Sequence, residues 1–197
     1  MNVAIFASGN GSNFQAIAEA IKASLLVCDN PGAYVLKRAK KLGVEAFLIE
    51  RKNFASKADY EKEIVKKLKE KKIGLIALAG YMKIIGPVIL KAYENKIINI
   101  HPALLPSFKG ARGIKDAFEY GVKITGVTAH FVDEGMDSGQ IIMQAEVKVE
   151  DEDTEQTLAE KIHKQEHRVY PEAVRLFTEG RLKIVGRRVK IRGDKGR

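Results

Sequence analysis

The chain has 197 residues, enough for one domain with a sizeable core or one domain plus a tail, and its 45% hydrophobic and 30% charged composition is that of a soluble globular protein. No apolar run approaches the roughly 20 residues that span a bilayer, and the single cysteine, Cys28, rules out an internal disulfide and leaves too few thiolates for a zinc or iron–sulfur site. The net charge of +9 is concentrated at one end: residues 181 to 197 hold eight Lys or Arg against one Asp, so the body alone carries about +2 and its charge does not call for nucleic acid.

The opening MNVAIFASGNGSN lacks the basic region and cleavage site of a signal peptide, and its apolar run reads as a first strand. A reducing cytoplasmic location is expected. Further apolar, β-branched runs follow at Leu25 to Cys28, Ala46 to Ile49, Ile73 to Leu78 and Ile97 to Ile100, after the first at Val3 to Phe6. Helical periods lie between them, at about Phe14 to Ala23, Val35 to Leu42, Lys57 to Glu70 and Val88 to Glu94. Continuous apolar strands alternating with helices predict an α/β fold with a Rossmann-like, mostly parallel sheet flanked by helices. Beyond residue 125 the pattern changes to two adjacent strands, "GVTAHFVDE" and "GQIIMQAEVKV", a long helix from about Thr154 to Glu179, and a basic strand. That half predicts an antiparallel or mixed C-terminal edge. The expected organisation is one domain over residues 1–185 and a basic tail over 186–197, with no internal repeat.

Three places could carry chemistry. In ASGNGSN, Gly9 and Gly11 permit tight turns and Ser12 or Asn13 could cap the following helix, whose first N–H groups then face an anion. Phe14 stands where a dinucleotide fingerprint would put its third glycine, so a phosphomonoester suits the loop better than a pyrophosphate. In "IINIHPALLPSF", Asn99 and His101 alternate with Ile98 and Ile100, which puts an amide and an imidazole on one face at a strand's carboxyl end. Such a pair suits a carbonyl oxygen becoming an oxyanion. In "HFVDEGMDSGQII", Asp133, Glu134 and Asp137 sit on a turn containing Gly135, and a carboxylate against the ring of His101 would orient it and favour its charged form.

Five stretches, "FASGNGSNFQAI", "LAGYMKIIGP", "IINIHPALLPSFKG", "GVTAHFVDEGMDSGQII" and "KQEHRVYPEAV", occur in the order and spacing of the phosphoribosylglycinamide formyltransferases, and the resemblance covers about residues 1 to 185. It implies the formyltransferase fold and transfer of a formyl group from 10-formyltetrahydrofolate to glycinamide ribonucleotide in purine synthesis, without a metal. It further implies a catalytic triad of Asn99, His101 and Asp137. The phosphate of the ribonucleotide would lie on Gly11, Ser12 and Asn13, with its glycinamide end at Glu166. Folate would lie on Met82, Lys83, Ile84 and Ile85, on Asn99, and on Asp133, Glu134, Gly135, Met136 and Asp137, with Lys57 near the donor's outer end.

The chain departs from that pattern in places. Lys57 and Lys83 stand where relatives often have arginine, which exchanges a bidentate grip for a point charge. Ile114, in "GARGIKDAF", stands where a histidine would be expected. The expected partners are small molecules, with no membrane and no nucleic acid, and the protein would act as a monomer or homodimer. Two related activities remain to be separated: a deformylase would use water on the same triad, and a methionyl-tRNA formyltransferase would add a C-terminal RNA-binding domain. A non-catalytic RNA- or phosphate-binding module is the reading from a different class.

Overall fold

The computed structural model describes residues 1–193, so the last four residues of the expected basic tail lie outside it. The chain divides into two compact units, Met1–Asn99 and Ile100–Arg197.

The first unit is built on parallel strands. β1 (Asn2–Phe6) lies between β2 (Ala23–Cys28) and β4 (Ile73–Leu78), β3 (Ala46–Leu48) pairs outside β2, and β5 (Ile97–His101) outside β4. Val3 to Phe6, Leu25 to Cys28 and Leu75 to Ala77 are at most 1% exposed, which is why these strands read as unbroken apolar runs rather than alternating ones. Helices α1 (Ser12–Ala20), α2 (Val35–Lys41), α3 (Lys57–Glu70) and α4 (Pro87–Ala92) form the crossovers. Each parallel connection needs such a crossover, because two parallel strands cannot be joined by a tight turn.

Boundaries shift where local chemistry overrides periodicity. α1 starts at Ser12 and not near Phe14, because Gly11 takes the N-cap in the left-handed conformation (φ 79°, ψ 29°) and no side chain caps the helix. The expected capping role of Ser12 or Asn13 is therefore corrected: both lie in the helix's first turn. β2 begins at Ala23, a residue expected to end that helix. α4 starts at Pro87, whose fixed φ and missing N–H suit a first helical position.

In the second unit β6 (Ile124–Phe131) and β7 (Ile141–Lys148) pair antiparallel, and α6 (Glu155–Thr178) packs on both. Thr154 opens α6 with a reciprocal capping box to Thr157. Leu158, Ile162, Val169, Ala173 and Val174 form its buried stripe, and the acid Glu166 lies within that stripe. α5 (Gly113–Tyr120) was not expected; its eight residues follow a glycine-rich stretch and bury only Gly113 and Ala117, too little to register as a helical period. The basic strand is real: β8 (Leu182–Val185) and β9 (Arg188–Ile191) form a hairpin that takes in part of the segment expected as a tail. Among the described residues no helix is long and apolar enough to cross a membrane. The expected class, α/β with mostly parallel strands flanked by helices and antiparallel strands in the C-terminal half, is the one found.

The chain leaving His101 is held by one buried hydroxyl. Thr128 on β6 is fully buried, accepts from Leu105 N–H at 3.0 Å and from the Gln144 amide at 2.9 Å, and donates to the Ala103 carbonyl at 2.7 Å. Valine has nearly the same shape and none of these bonds. Thr128→Val should therefore destabilise the protein by about 2–4 kcal/mol, because it orphans two backbone groups at once; urea unfolding with an unchanged slope and a lower midpoint is the expected measurement.

Candidate active site

The glycine loop ends β1 and delivers the chain into α1. A Cβ on Gly11 would sit 2.4 Å from Val35 Cγ2, so both the left-handed backbone and the close approach of α2 require glycine there. The first turn of α1 contains no acid, which leaves its N–H groups and the positive end of its dipole uncompensated by its own side chains. Arg38, which sequence reasoning missed, fastens the loop: its guanidinium donates to the Asn10 carbonyl and the Asn10 side chain, each at 2.9 Å, and to the Gln15 side chain. Such a turn offers backbone N–H donors to an anion. Arg38 could have been found only as a cation on the same helical turn as Val35.

Also in the first unit, Met82, Lys83, Ile84 and Ile85 run between β4 and α4 without regular structure. Together with Arg51, Lys57, Tyr60, Glu61, Tyr81 and Ile89 they line a cleft of about 330 Å3. Met82 and Ile84 are 73% and 75% exposed. The two lysines of this region face carboxylates: Lys83 Nζ lies 3.8 Å from Asp29, and Lys57 Nζ 4.0 Å from Glu61. Tyr81 donates or accepts across a 2.5 Å contact with the Tyr60 hydroxyl, and burial pushes both phenols above their ordinary range. Asn99 is half-buried near the end of β5, paired in register with Leu78.

In the second unit the expected partnership between His101 and Asp137 is present. His101 is 3% exposed, and its Nδ1 lies 3.4 Å from Asp137 Oδ2. Its Nε2–H donates to the Phe108 carbonyl at 2.8 Å. The Asp137 carboxylate and the Phe108 carbonyl thus face the two ring nitrogens. Asp137 Oδ2 also accepts from Gly110 N–H at 2.8 Å. Phe108 and Asp137 both have left-handed backbones, φ 51° and 48°. Such conformations cost about 1–3 kcal/mol for residues with a Cβ and persist where the surroundings over-determine them.

His130 is the residue that sequence reasoning missed here. Its Nε2 lies 3.7 Å from Asp137 Oδ1, and its Nδ1–H donates to the Phe131 carbonyl at 2.8 Å. Asp137 therefore faces two imidazoles. The available signal was a polar residue within the buried strand β6, two positions after Thr128. The Asp133 to Met136 turn is exposed and held by Asp133, which accepts from Gly135 N–H at 3.1 Å and from Ser138 Oγ at 2.6 Å. Glu166, 4% exposed on α6, accepts from His163 Nδ1 at 2.9 Å, which raises the half-exposed His163 above its ordinary pKa. Ile114 lies in α5, half-buried, and offers no polar group.

Burial holds His130 below the ordinary histidine pKa of 6.5, outweighing the Phe131 carbonyl and Asp137, which act the other way. The unfolded chain then binds the proton more readily than the native one. Stability contributed by neutral His130 is complete above about pH 6.5 and is lost as pH falls below that value toward the native pKa. The thermal midpoint should drop between pH 7 and 5, and His130→Gln should show a smaller drop; an equal drop in the variant would remove His130 as its source.

Residues 1–174 match the formyl transferase family. The chain is 48% identical over 179 residues to a phosphoribosylglycinamide formyltransferase of Bacillus subtilis (strain 168), covering 87% of this chain and 92% of that protein. It is 38% identical over 187 residues to the trifunctional purine biosynthetic protein adenosine-3 of Drosophila melanogaster, covering 90% of this chain but 14% of that longer protein. Among solved structures, glycinamide ribonucleotide transformylase 1 from Symbiobacterium toebii superimposes with a TM-score of 0.95 at 40% identity, covering 98% of this chain and 94% of that one. By the length and level of these matches, the chain belongs to the formyl transferase family, and within it to the phosphoribosylglycinamide formyltransferases.

Proposed function

We propose that this protein transfers the formyl group of 10-formyltetrahydrofolate to the amino group of glycinamide ribonucleotide, giving N-formylglycinamide ribonucleotide and tetrahydrofolate in purine biosynthesis. Residues 1–185 would act together as the formyltransferase domain. The observation that carries the reading is the buried His101–Asp137 pair, 3.4 Å apart, on a chain of this family.

The chemistry follows from acyl transfer. The neutral amine attacks the formyl carbon, the new C–N bond forms, and negative charge collects on the former carbonyl oxygen. Asn99 would donate its amide N–H to that oxygen. His101 would give it the Nε2–H that now serves the Phe108 carbonyl, exchanging a neutral acceptor for a charged one. Asp137 keeps the ring oriented and accepts the proton of the attacking nitrogen, directly or through water. That proton is returned to the folate nitrogen as its bond to the formyl carbon breaks. No covalent enzyme intermediate is needed.

Gly11, Ser12 and Asn13 would hold the phosphate and Glu166 the glycinamide end. Lys57, Met82, Lys83, Ile84, Ile85, Asn99 and the Asp133 to Asp137 turn would receive folate. The anion-ready first turn of α1 and the exposed apolar side chains of Met82 and Ile84 support these assignments.

Folate release from 10-formyltetrahydrofolate should require glycinamide ribonucleotide; release at the same rate in its absence would make the protein a deformylase. His101→Ala and Asp137→Ala should each lower kcat by about 10²-fold or more while unfolding stays cooperative. Near-parent turnover in either variant would remove that residue from the reaction.

A further inference from the structure

The segment from Tyr81 to Ile85 shows two large apolar side chains to solvent, yet belongs to neither a strand nor a helix. Its start is fixed by Met82 N–H, which donates to Ser8 Oγ at 2.8 Å, and by the Tyr81–Tyr60 hydroxyl contact. Its end is fixed by a carboxylate. Glu61 on α3 accepts from Gly86 N–H through Oε1 at 2.6 Å and from Val88 N–H through Oε2 at 3.2 Å.

Glu61 is 2% exposed, and the nearest cation, Lys57 Nζ, stands off at 4.0 Å. Burying a carboxylate with so distant a counter-charge is costly, and a neutral Ser or Asn would cap the short helix α4 without that cost. What a carboxylate adds is two acceptor oxygens on a rigid fork, each taking one backbone N–H, so that both sides of the bend at Pro87 are held at once. Gly86 carries the complementary signature. Its backbone, φ −100° and ψ −179°, is open to any residue, but a Cβ there would lie 2.4 Å from Glu61 Oε1 and 2.8 Å from Lys57 Cε. Glycine is kept at this position by the space the carboxylate occupies.

We infer that Glu61 is a positioning residue for the folate donor, acting by holding Met82 to Ile85 in place along the cleft that Glu61 itself helps to line. The inference rests on the reading that this segment receives folate. It assigns to Glu61 an effect on one substrate only, which a merely structural cap would not have.

Steady-state kinetics of the full chain, run well below each variant's thermal midpoint, test it. Glu61→Ala should raise KM for 10-formyltetrahydrofolate about tenfold while KM for glycinamide ribonucleotide stays within about twofold. Glu61→Gln retains one acceptor oxygen and should fall between parent and Glu61→Ala. Gly86→Ala displaces the same carboxylate, so it should raise the donor KM alone and add little to Glu61→Ala. If Glu61→Ala does not fold, the Gln and Gly86→Ala variants carry the same contrast.

Ile84→Ala separates the two ideas. A raised donor KM in Ile84→Ala with an unchanged one in Glu61→Ala would overturn the inference and leave the folate reading standing. Unchanged donor KM in both would overturn both. Equal rises for the two substrates in Glu61→Ala would reduce Glu61 to a structural cap.

Discussion

The geometry of the candidate site in the second unit depends on where one carboxylate is held. Asp137 has a left-handed backbone, takes the Gly110 N–H on one oxygen together with His101, and presents the other oxygen to His130. Each of these contacts restrains it from a different element: the loop after β5, β5 itself, and β6. A carboxylate so restrained cannot rotate away from the ring of His101, and the ring, bonded at its far nitrogen to Phe108, cannot rotate away from it. In the proposed reaction the orientation of the ring is thereby supplied before substrate arrives, which is the condition under which hydrogen-bond donors stabilise a developing charge most effectively.

The two imidazoles beside Asp137 lie in different surroundings. His130 is held in its neutral form by burial, with its Nδ1–H committed to a backbone carbonyl. His101 faces an acceptor at each nitrogen. The strain in Phe108 and Asp137 falls on the two residues that contact His101, and Thr128 supplies the buried hydroxyl that keeps the connecting chain from relaxing.

The first unit solves a related problem with other means. Loops at the carboxyl ends of parallel strands must be exposed to meet ligands and yet be fixed in shape. Arg38 ties down the glycine loop, and Glu61 ties down the segment before α4. In both cases a charged side chain of a neighbouring helix bonds backbone groups of the loop, and in both a glycine is kept because that helix comes too close for a Cβ.

Much of this was legible in the chain alone. Unbroken apolar runs at Val3, Leu25 and Ile73 announced strands buried on both faces, and alternation along residues 98–101 put Asn99 and His101 on one side of β5, because burial imprints a period on composition. Five spaced motifs carried the family, and the turn with Asp137 was correctly paired with His101. Periodicity says which face a side chain takes, but not what stands opposite. The second imidazole at Asp137, the Phe108 carbonyl on His101, the Arg38 fastening and the Glu61–Gly86 contact all join residues distant in sequence. Only the packing of the folded chain decides those partners: the helical period puts Glu61 on the face of Ile64, Val65 and Leu68, but does not say which backbone groups meet it there. The same limit hid α5, whose short period buries too few residues to show, and moved the start of α1 next to a glycine that has a left-handed backbone and lies too close to Val35 for a Cβ.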